Sequence, residues 1–264
     1  YRRDTISGAA RLCKNVYTVQ VKAEGNGASR CHADMSHDEL ALNIFEQGWA
    51  GQMLYIPERD LWAEWQEEGW QLLKTQNSQI TRLRQDLRSI PCEYLKKRKT
   101  LGDNRTIMAI NALMKTNPGA GRSIDQWDND PLVLGTPTQV VDLKTGEVRR
   151  KSCSDYLLRA TLVDPSERGA LPQNWLNFLE VITDGDAEIQ EFLQILSGYA
   201  ATGSTKEHKL FFAFGTGRNG KSTWLNTLAA ILSNDYACVV PPKLLLDKKM
   251  EQHATDLAQL SGAR

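Results

Sequence analysis

The 264 residues are enough for one large domain or two ordinary ones. A hydrophobic content of 41% and a charged content of 24% are typical of a globular protein in water. No apolar run approaches the roughly 20 residues that a membrane-spanning helix needs, so we expect no membrane partner. The 32 Lys and Arg residues balance the 32 Asp and Glu residues, which excludes binding to nucleic acid by net charge alone.

Residues 1–35 are weakly patterned, and we interpret them as a linker that is partly mobile. No apolar segment follows Tyr1, so no secretory signal is predicted. Five dispersed cysteines without a C-x-x-C pair favour reduced thiols and a cytoplasmic setting. Cys13 with Cys31 and His32 could form half of a zinc site, but unliganded side chains are favoured because no second pair follows. The chain lacks a starting Met, which suggests that it is cut from a longer protein.

Residues 36–171 are predicted to form an α+β domain. Ser36 and Glu39 have the spacing of a capping box, which predicts a helix that begins there. Two further helices are predicted over 78–90 and 104–115 from the helical spacing of their apolar residues. Short strands are predicted over 53–57, 60–65, 131–134, 139–143 and 147–149.

Two features of this domain allow two interpretations each. Trp49, Trp62, Trp65 and Trp70 could stack on single-stranded bases, but a small sheet packed by its tryptophans is favoured. Residues 74–105 contain nine Lys or Arg and three Asp or Glu, and their basic cluster includes residues 96–99. That excess suits a surface that faces phosphate and equally suits a solvated helix face.

Residues 172–264 are predicted to form a second region, with a soft boundary near Pro172. Helices over 173–182 and 186–201 lead to an apolar strand over 210–214. A helix then follows a glycine-rich turn, with a second strand over 236–240 and a final short helix over 254–260.

The glycine-rich turn has the spacing G-x-x-x-x-G-K-[ST], which Gly215, Gly220, Lys221 and Ser222 satisfy. Such a P-loop surrounds phosphate oxygens with backbone N–H groups and with the N-terminus of the next helix. Chance gives this pattern in roughly one chain of this size in a hundred. The alternative is a plain glycine turn between a strand and a helix. The predicted nucleotide-binding residues are Gly215, Thr216, Gly217, Arg218, Asn219, Gly220, Lys221, Ser222 and Thr223.

Within this loop, Lys221 is the predicted catalytic residue because its ammonium can reach the β- and γ-phosphates of ATP. Ser222 is the predicted ligand of Mg²⁺. The overall fold class that we predict is therefore α/β, in which an α+β N-terminal region precedes the start of a P-loop NTPase domain.

Several ordered segments extend the pattern beyond the P-loop, and they run from about Leu42 to Arg264. They include Trp127-Asp128-Asn129-Asp130-Pro131-Leu132, Val140-Val141-Asp142-Leu143-Lys144-Thr145-Gly146-Glu147, Trp175-Leu176-Asn177-Phe178-Leu179 and Leu257-Ala258-Gln259-Leu260-Ser261-Gly262-Ala263-Arg264. In these segments the chain resembles the poxvirus-type and phage/plasmid-type primase–helicases, whose motor belongs to helicase superfamily 3. It departs from the family at Thr138-Gln139, where Asn-Gly is frequent.

The resemblance implies an ATP-dependent DNA helicase that serves the replication of a phage, virus or mobile element in the host cytoplasm. It implies an AAA+-like motor that forms a ring, expected to be a hexamer, with ATP and Mg²⁺ between subunits and DNA as the partner. Residues 36–171 would be the helicase-associated domain. The Walker B acids, the sensor and the arginine finger would follow Arg264, so residues 1–264 are expected to be inactive alone.

Two other classes stay open at this point. One is a nucleotide-dependent initiator or scaffold that binds DNA without unwinding it. The other is a P-loop kinase, against which the long N-terminal region counts.

Overall fold

The computed structural model describes residues 36–90, 99–240 and 262–264. The chain divides into two compact units: residues 1–127 with 152–158, and residues 128–151 with 159–264. The described parts of these units combine helices with two small antiparallel sheets, so they are α+β. These two units are defined by contacts within the folded chain. The domain boundary near Pro172 stays a prediction.

The described part of the first unit contains three longer helices and one sheet. The helices are α1 (His37–Ile44), α2 (Gln76–Ser89) and α3 (Asn104–Lys115), and a π-helical turn, Phe45–Trp49, extends α1. The strands β1 (Met53–Ile56), β2 (Leu61–Gln66) and β3 (Gly69–Leu72) pair antiparallel in the order β1-β2-β3. The three predicted helices and the first two predicted strands of this unit are confirmed to within a few residues.

The start of α1 shows why its sequence forms a helix there. The Ser36 side chain accepts a hydrogen bond from the Glu39 backbone N–H at 3.2 Å, and the Glu39 carboxylate accepts one from the Ser36 N–H at 2.8 Å. Two N–H groups that lack partners within the helix are thus satisfied. These two hydrogen bonds confirm the predicted capping box. The buried face of α1 carries Leu40, Ala41 and Ile44.

The core of the first unit lies between the sheet and the helices. Trp49 and Trp62 are fully buried, and their rings meet edge to face at 5.1 Å. The Trp49 Nε1–H donates to the Asp86 carboxylate at 2.7 Å. Trp70, also buried, packs on Trp127 at 5.4 Å. The interpretation as core residues is confirmed for Trp49, Trp62 and Trp70, because buried rings are inaccessible to bases, whereas Trp65 is only partly buried against this core.

Tyr55, Asp60 and Lys115 form a polar contact at the edge of this core. The Tyr55 hydroxyl donates to Asp60 Oδ1 at 2.6 Å, and the Lys115 ammonium pairs with the same oxygen. Burial and the hydrogen bond to Asp60 raise the pKa of Tyr55 to about 12. The Lys115 contact, followed by that of Tyr55, lowers the pKa of Asp60.

The described part of the second unit also has one sheet and three helices. Strands β4 (Val133–Gly135), β5 (Gln139–Asp142) and β6 (Glu147–Arg150) pair antiparallel in the order β4-β5-β6. Helices α4 (Gln173–Ile182), α5 (Ala187–Ala201) and α6 (Lys221–Tyr236) follow. The Asp186 carboxylate caps α5 by accepting from the N–H groups of Glu188 and Ile189 at 2.9 and 3.1 Å.

Two predicted strands of the second unit are wrong. Residues 210–214 and 237–240 contain no strand, and residue 236 ends α6. A strand is stable only when a neighbour satisfies its backbone N–H and C=O groups, and none of the described strands pairs with residues 210–214. The α/β class is thus corrected to α+β for the described residues, which show no P-loop sheet.

The structure describes little of the chain ends. Four of the predictions fall outside the described residues: the linker 1–35, the zinc-site hypothesis for Cys13, Cys31 and His32, residues 96–98 of the basic cluster, and the final helix over 254–260. Cys153 is disulfide-bonded, so the expectation of reduced thiols is wrong at this residue, whereas Cys238 is a free, exposed thiol.

Candidate nucleotide-binding site

The predicted P-loop residues form a loop that ends directly at the N-terminus of α6. Gly220 is the N-cap residue, and Lys221 begins the helix. The backbone is left-handed at Gly217, Arg218 and Gly220, with φ angles of 95°, 54° and 80°. The helix boundary that the motif predicts at Lys221 is confirmed, and the loop turns sharply before it.

Gly220 is held against α4. A Cβ atom added at Gly220 would lie 2.3 Å from Cγ2 of Ile182 and 3.3 Å from Cε2 of Phe178. Phe178 and Ile182 are one helical turn apart, so they present one face of α4 to the loop. The packing of α4 thereby fixes the point at which the loop enters α6.

The Lys221 side chain folds back over the loop. Its ammonium donates a hydrogen bond to Asn219 Oδ1. A Cβ atom added at Gly215 would lie 2.5 Å from Asn219 Nδ2 and 2.9 Å from Lys221 Nζ. The side chains of Asn219 and Lys221 are therefore brought together above Gly215.

The first turn of α6 is suited to an anion. No side chain caps it, and it contains no acidic residue. Its first N–H groups and the positive end of the helix dipole are therefore available to a phosphate. Ser222 and Thr223 are exposed at this end, so the Ser222 hydroxyl is accessible to a cation.

The residues present fit a nucleoside triphosphate with Mg²⁺. Lys221 and the α6 N-terminus would hold the phosphates, and Ser222 would be the only protein ligand of Mg²⁺ that we assign. Within the described ranges no group of three or more His, Cys, Asp or Glu could hold a metal ion by itself. A cation at this site would depend on phosphate oxygens for most of its ligands, as Mg²⁺ usually does.

The segment before the loop is apolar but not enclosed. Phe212 and Phe214 are 83% and 82% exposed. Among the phenylalanines of this segment, only Phe211 has an aromatic neighbour in the described region. Its ring centroid lies 6.3 Å from that of Tyr199 in α5. In the described structure the predicted nucleotide-binding loop therefore packs against α4 and leads into α6, and it does not follow a strand.

Sequence reasoning did not connect Phe178 and Ile182 with the loop. Both lie in the helix that the sequence predicts over 173–182. Their spacing of four residues placed them on one face, but nothing in the sequence tells which segment covers that face. Only the folded chain shows that Gly220 does.

A family profile described as D5 N terminal like matches residues 43–184, which is more than half of the chain. The chain belongs to the D5 N-terminal-like family. Domains of this family occur in phage and viral primase–helicase proteins. No curated protein matches the chain.

The match confirms the coarser part of the resemblance, a domain that occurs in primase–helicases. It ends at residue 184, before the P-loop, so the motor and its activity stay predictions. In the described residues no helix is long and apolar enough to cross a bilayer.

Proposed function

We propose that this chain belongs to an ATP-dependent DNA helicase that acts in the replication of a phage, a virus or a mobile element. One observation carries the proposal. A D5 N-terminal-like domain over residues 43–184 is followed, in the same chain, by a P-loop sequence motif over residues 215–222. Because domains of this family occur in primase–helicase proteins, the family supports a role in replication, and the motif supports nucleotide binding.

The residues of the loop have distinct roles in this proposal. Backbone N–H groups of residues 215–220 and of the first turn of α6 bind the β- and γ-phosphates. Lys221 places its charge where negative charge increases during hydrolysis, which makes it the candidate catalytic residue. Ser222 orients Mg²⁺, which when bound neutralises the phosphate oxygens.

An AAA+-like α/β motor is part of the proposal, and it follows from the resemblance to superfamily 3. A ring, expected to be a hexamer with ATP between subunits, follows from the resemblance to superfamily 3. DNA is the proposed partner and the host cytoplasm the proposed compartment.

The experiment compares ATP hydrolysis by the complete protein with and without single-stranded DNA. We expect DNA to stimulate hydrolysis, and Lys221→Ala to lower the rate about 100-fold or more, because one preorganised charge at the transition state is removed. Lys206→Ala is the control, since Lys206 is exposed in the polar loop before residues 210–214. The absence of DNA stimulation together with unchanged hydrolysis by Lys221→Ala would contradict the proposal.

A strand-displacement assay separates the helicase from the other classes. ATP-dependent release of a labelled strand supports the helicase. DNA binding and assembly without release would indicate an initiator or scaffold. Transfer of phosphate to a small molecule, independent of DNA, would indicate a P-loop kinase.

A further inference from the structure

An open recess lies between α2 and α3 in the first unit. Its volume is about 330 Å³, open solvent included. The recess is lined by Arg84, Leu87, Arg88, Leu101, Gly102 and Ile107. Two arginines and a glycine thus accompany three apolar side chains in one surface depression.

The floor and the rim of this recess differ in chemistry. Leu87, Leu101 and Ile107 are nearly completely buried and form an apolar floor that belongs to the core. Arg84 and Arg88 are exposed at the rim. They stand four residues apart on α2, so they are neighbours on one helix face, with Cβ atoms about 5–6 Å apart.

A third arginine of α2, Arg82, has a structural role, because its side chain is engaged by other residues of the unit. The Arg82 guanidinium pairs with the Glu64 carboxylate and donates to the Gln52 side chain at 3.0 Å. It also lies over the Trp49 ring at 5.7 Å. By contrast, Arg84 and Arg88 have no hydrogen bond or ion pair with any residue in the described part of the chain. Folding therefore leaves both guanidinium groups available to a ligand.

The surroundings add positive charge. Lys99 and Arg105 are exposed and flank the lining residues Leu101 and Gly102 in the chain, and Asp103 is the one acidic residue between them. Asp103 is the N-cap residue of α3, but its side chain does not cap the helix. Lys99 and Arg105 are close in the chain to two lining residues, so this segment adds positive charge near the recess, which favours a polyanion.

We propose that the Arg84–Arg88 recess binds the backbone phosphates of a DNA strand. The proposal rests on the function proposed above, from which it takes the identity of the polyanion. Guanidinium groups bind phosphate oxygens through paired N–H donors. Contacts to phosphate position a strand without reading its sequence.

The experiment measures the binding of a fluorescein-labelled oligothymidine strand to the complete protein by fluorescence anisotropy at several salt concentrations. We expect Arg84→Glu and Arg88→Glu each to weaken binding about tenfold. Each should also reduce the slope of log K against log salt by about 0.7 per lost phosphate contact. Arg59→Glu is the matched control, because Arg59 is exposed in the same unit and lies outside the recess.

Variants that remove charge without adding an acid guard against a folding defect. Arg84→Gln and Arg88→Gln should weaken binding in the same direction by a smaller factor, with an unchanged circular dichroism spectrum. If the wild-type protein binds the strand, and Arg84→Glu and Arg88→Glu weaken binding no more than Arg59→Glu does, the recess is not the binding site. That outcome would leave the helicase proposal unaffected. No binding of the strand by the wild-type protein would overturn both.

Discussion

Gly220 has two independent reasons to be glycine. Its φ of 80° lies in the left-handed region that residues with a Cβ atom rarely adopt. Its Cα hydrogen also faces Ile182 at a distance that leaves no room for a methyl group. The same residue thus sets the backbone of the proposed nucleotide-binding loop and its contact with α4.

Gly220→Ala should therefore destabilise the second unit by about 2 kcal/mol or more, because backbone strain and overpacking both act there. Urea denaturation followed by circular dichroism measures this change in the free energy of unfolding. Gly217→Ala is the matched control, since its φ is 95° but no atom lies within 4 Å of an added Cβ. It should cost only the strain, about 1 kcal/mol. Equal losses for both variants would show that contact with Ile182 contributes nothing.

At the scale of elements, the two sheets are small and the helices are fixed by local signals. Ser36 and Glu39 begin α1 through two reciprocal hydrogen bonds. Thr75, the N-cap residue of α2, has a suitable side chain but makes no capping bond to a helix N–H. Comparing these two N-cap residues shows how much of the helix stability comes from the capping hydrogen bond itself and how much from having Ser or Thr at that position.

Ser36→Ala should lower the free energy of unfolding by about 1 kcal/mol, because the Glu39 backbone N–H loses the hydroxyl that accepts its hydrogen bond. Thr75→Ala should lower it by less than half of that amount, since no capping bond is lost. Thermal or urea denaturation of the two variants gives the comparison. A loss at Thr75 as large as that at Ser36 would argue against the capping box as the cause.

At the scale of the whole molecule, each unit is held by contacts between residues that are distant in the sequence. In the second unit, the buried Tyr236 hydroxyl accepts from the Gly135 N–H at 3.1 Å and donates to the Arg159 carbonyl at 3.2 Å. The Arg264 guanidinium stacks on the Tyr236 ring and donates to the carbonyl groups of Val133 and Ala201, both at 2.7 Å. These bonds tie β4, α5 and α6 together.

Tyr236→Phe should cost about 1–3 kcal/mol of unfolding free energy, because the Gly135 N–H would lose its partner inside the protein. Tyr199→Phe is the control, since the structure shows no hydrogen bond of its hydroxyl with another described residue. Its loss should be close to zero. Hydrogen exchange at the Gly135 amide would report the change locally, and unchanged protection in Tyr236→Phe would contradict this role.

The sequence by itself determined the local elements and the candidate loop. The capping box, helices with apolar stripes such as residues 173–182, and the motif at residues 215–222 depend on residues that are neighbours in the chain. For the same reason the start of α6 at Lys221 could be predicted from the motif, and the core role of Trp62 from a cluster of aromatic residues.

Tertiary structure decided which faces meet and which segments pair. The apolar run 210–214 predicts a strand by its pattern, yet pairing depends on a neighbour, and no described strand is one. Arg82, Arg84 and Arg88 have the same chemistry in the sequence. Only the fold engages Arg82 and leaves the other two at a recess. The physical reason is that pairing, burial and charge compensation depend on residues far apart in the chain, whereas helix starts and glycine turns depend on near neighbours.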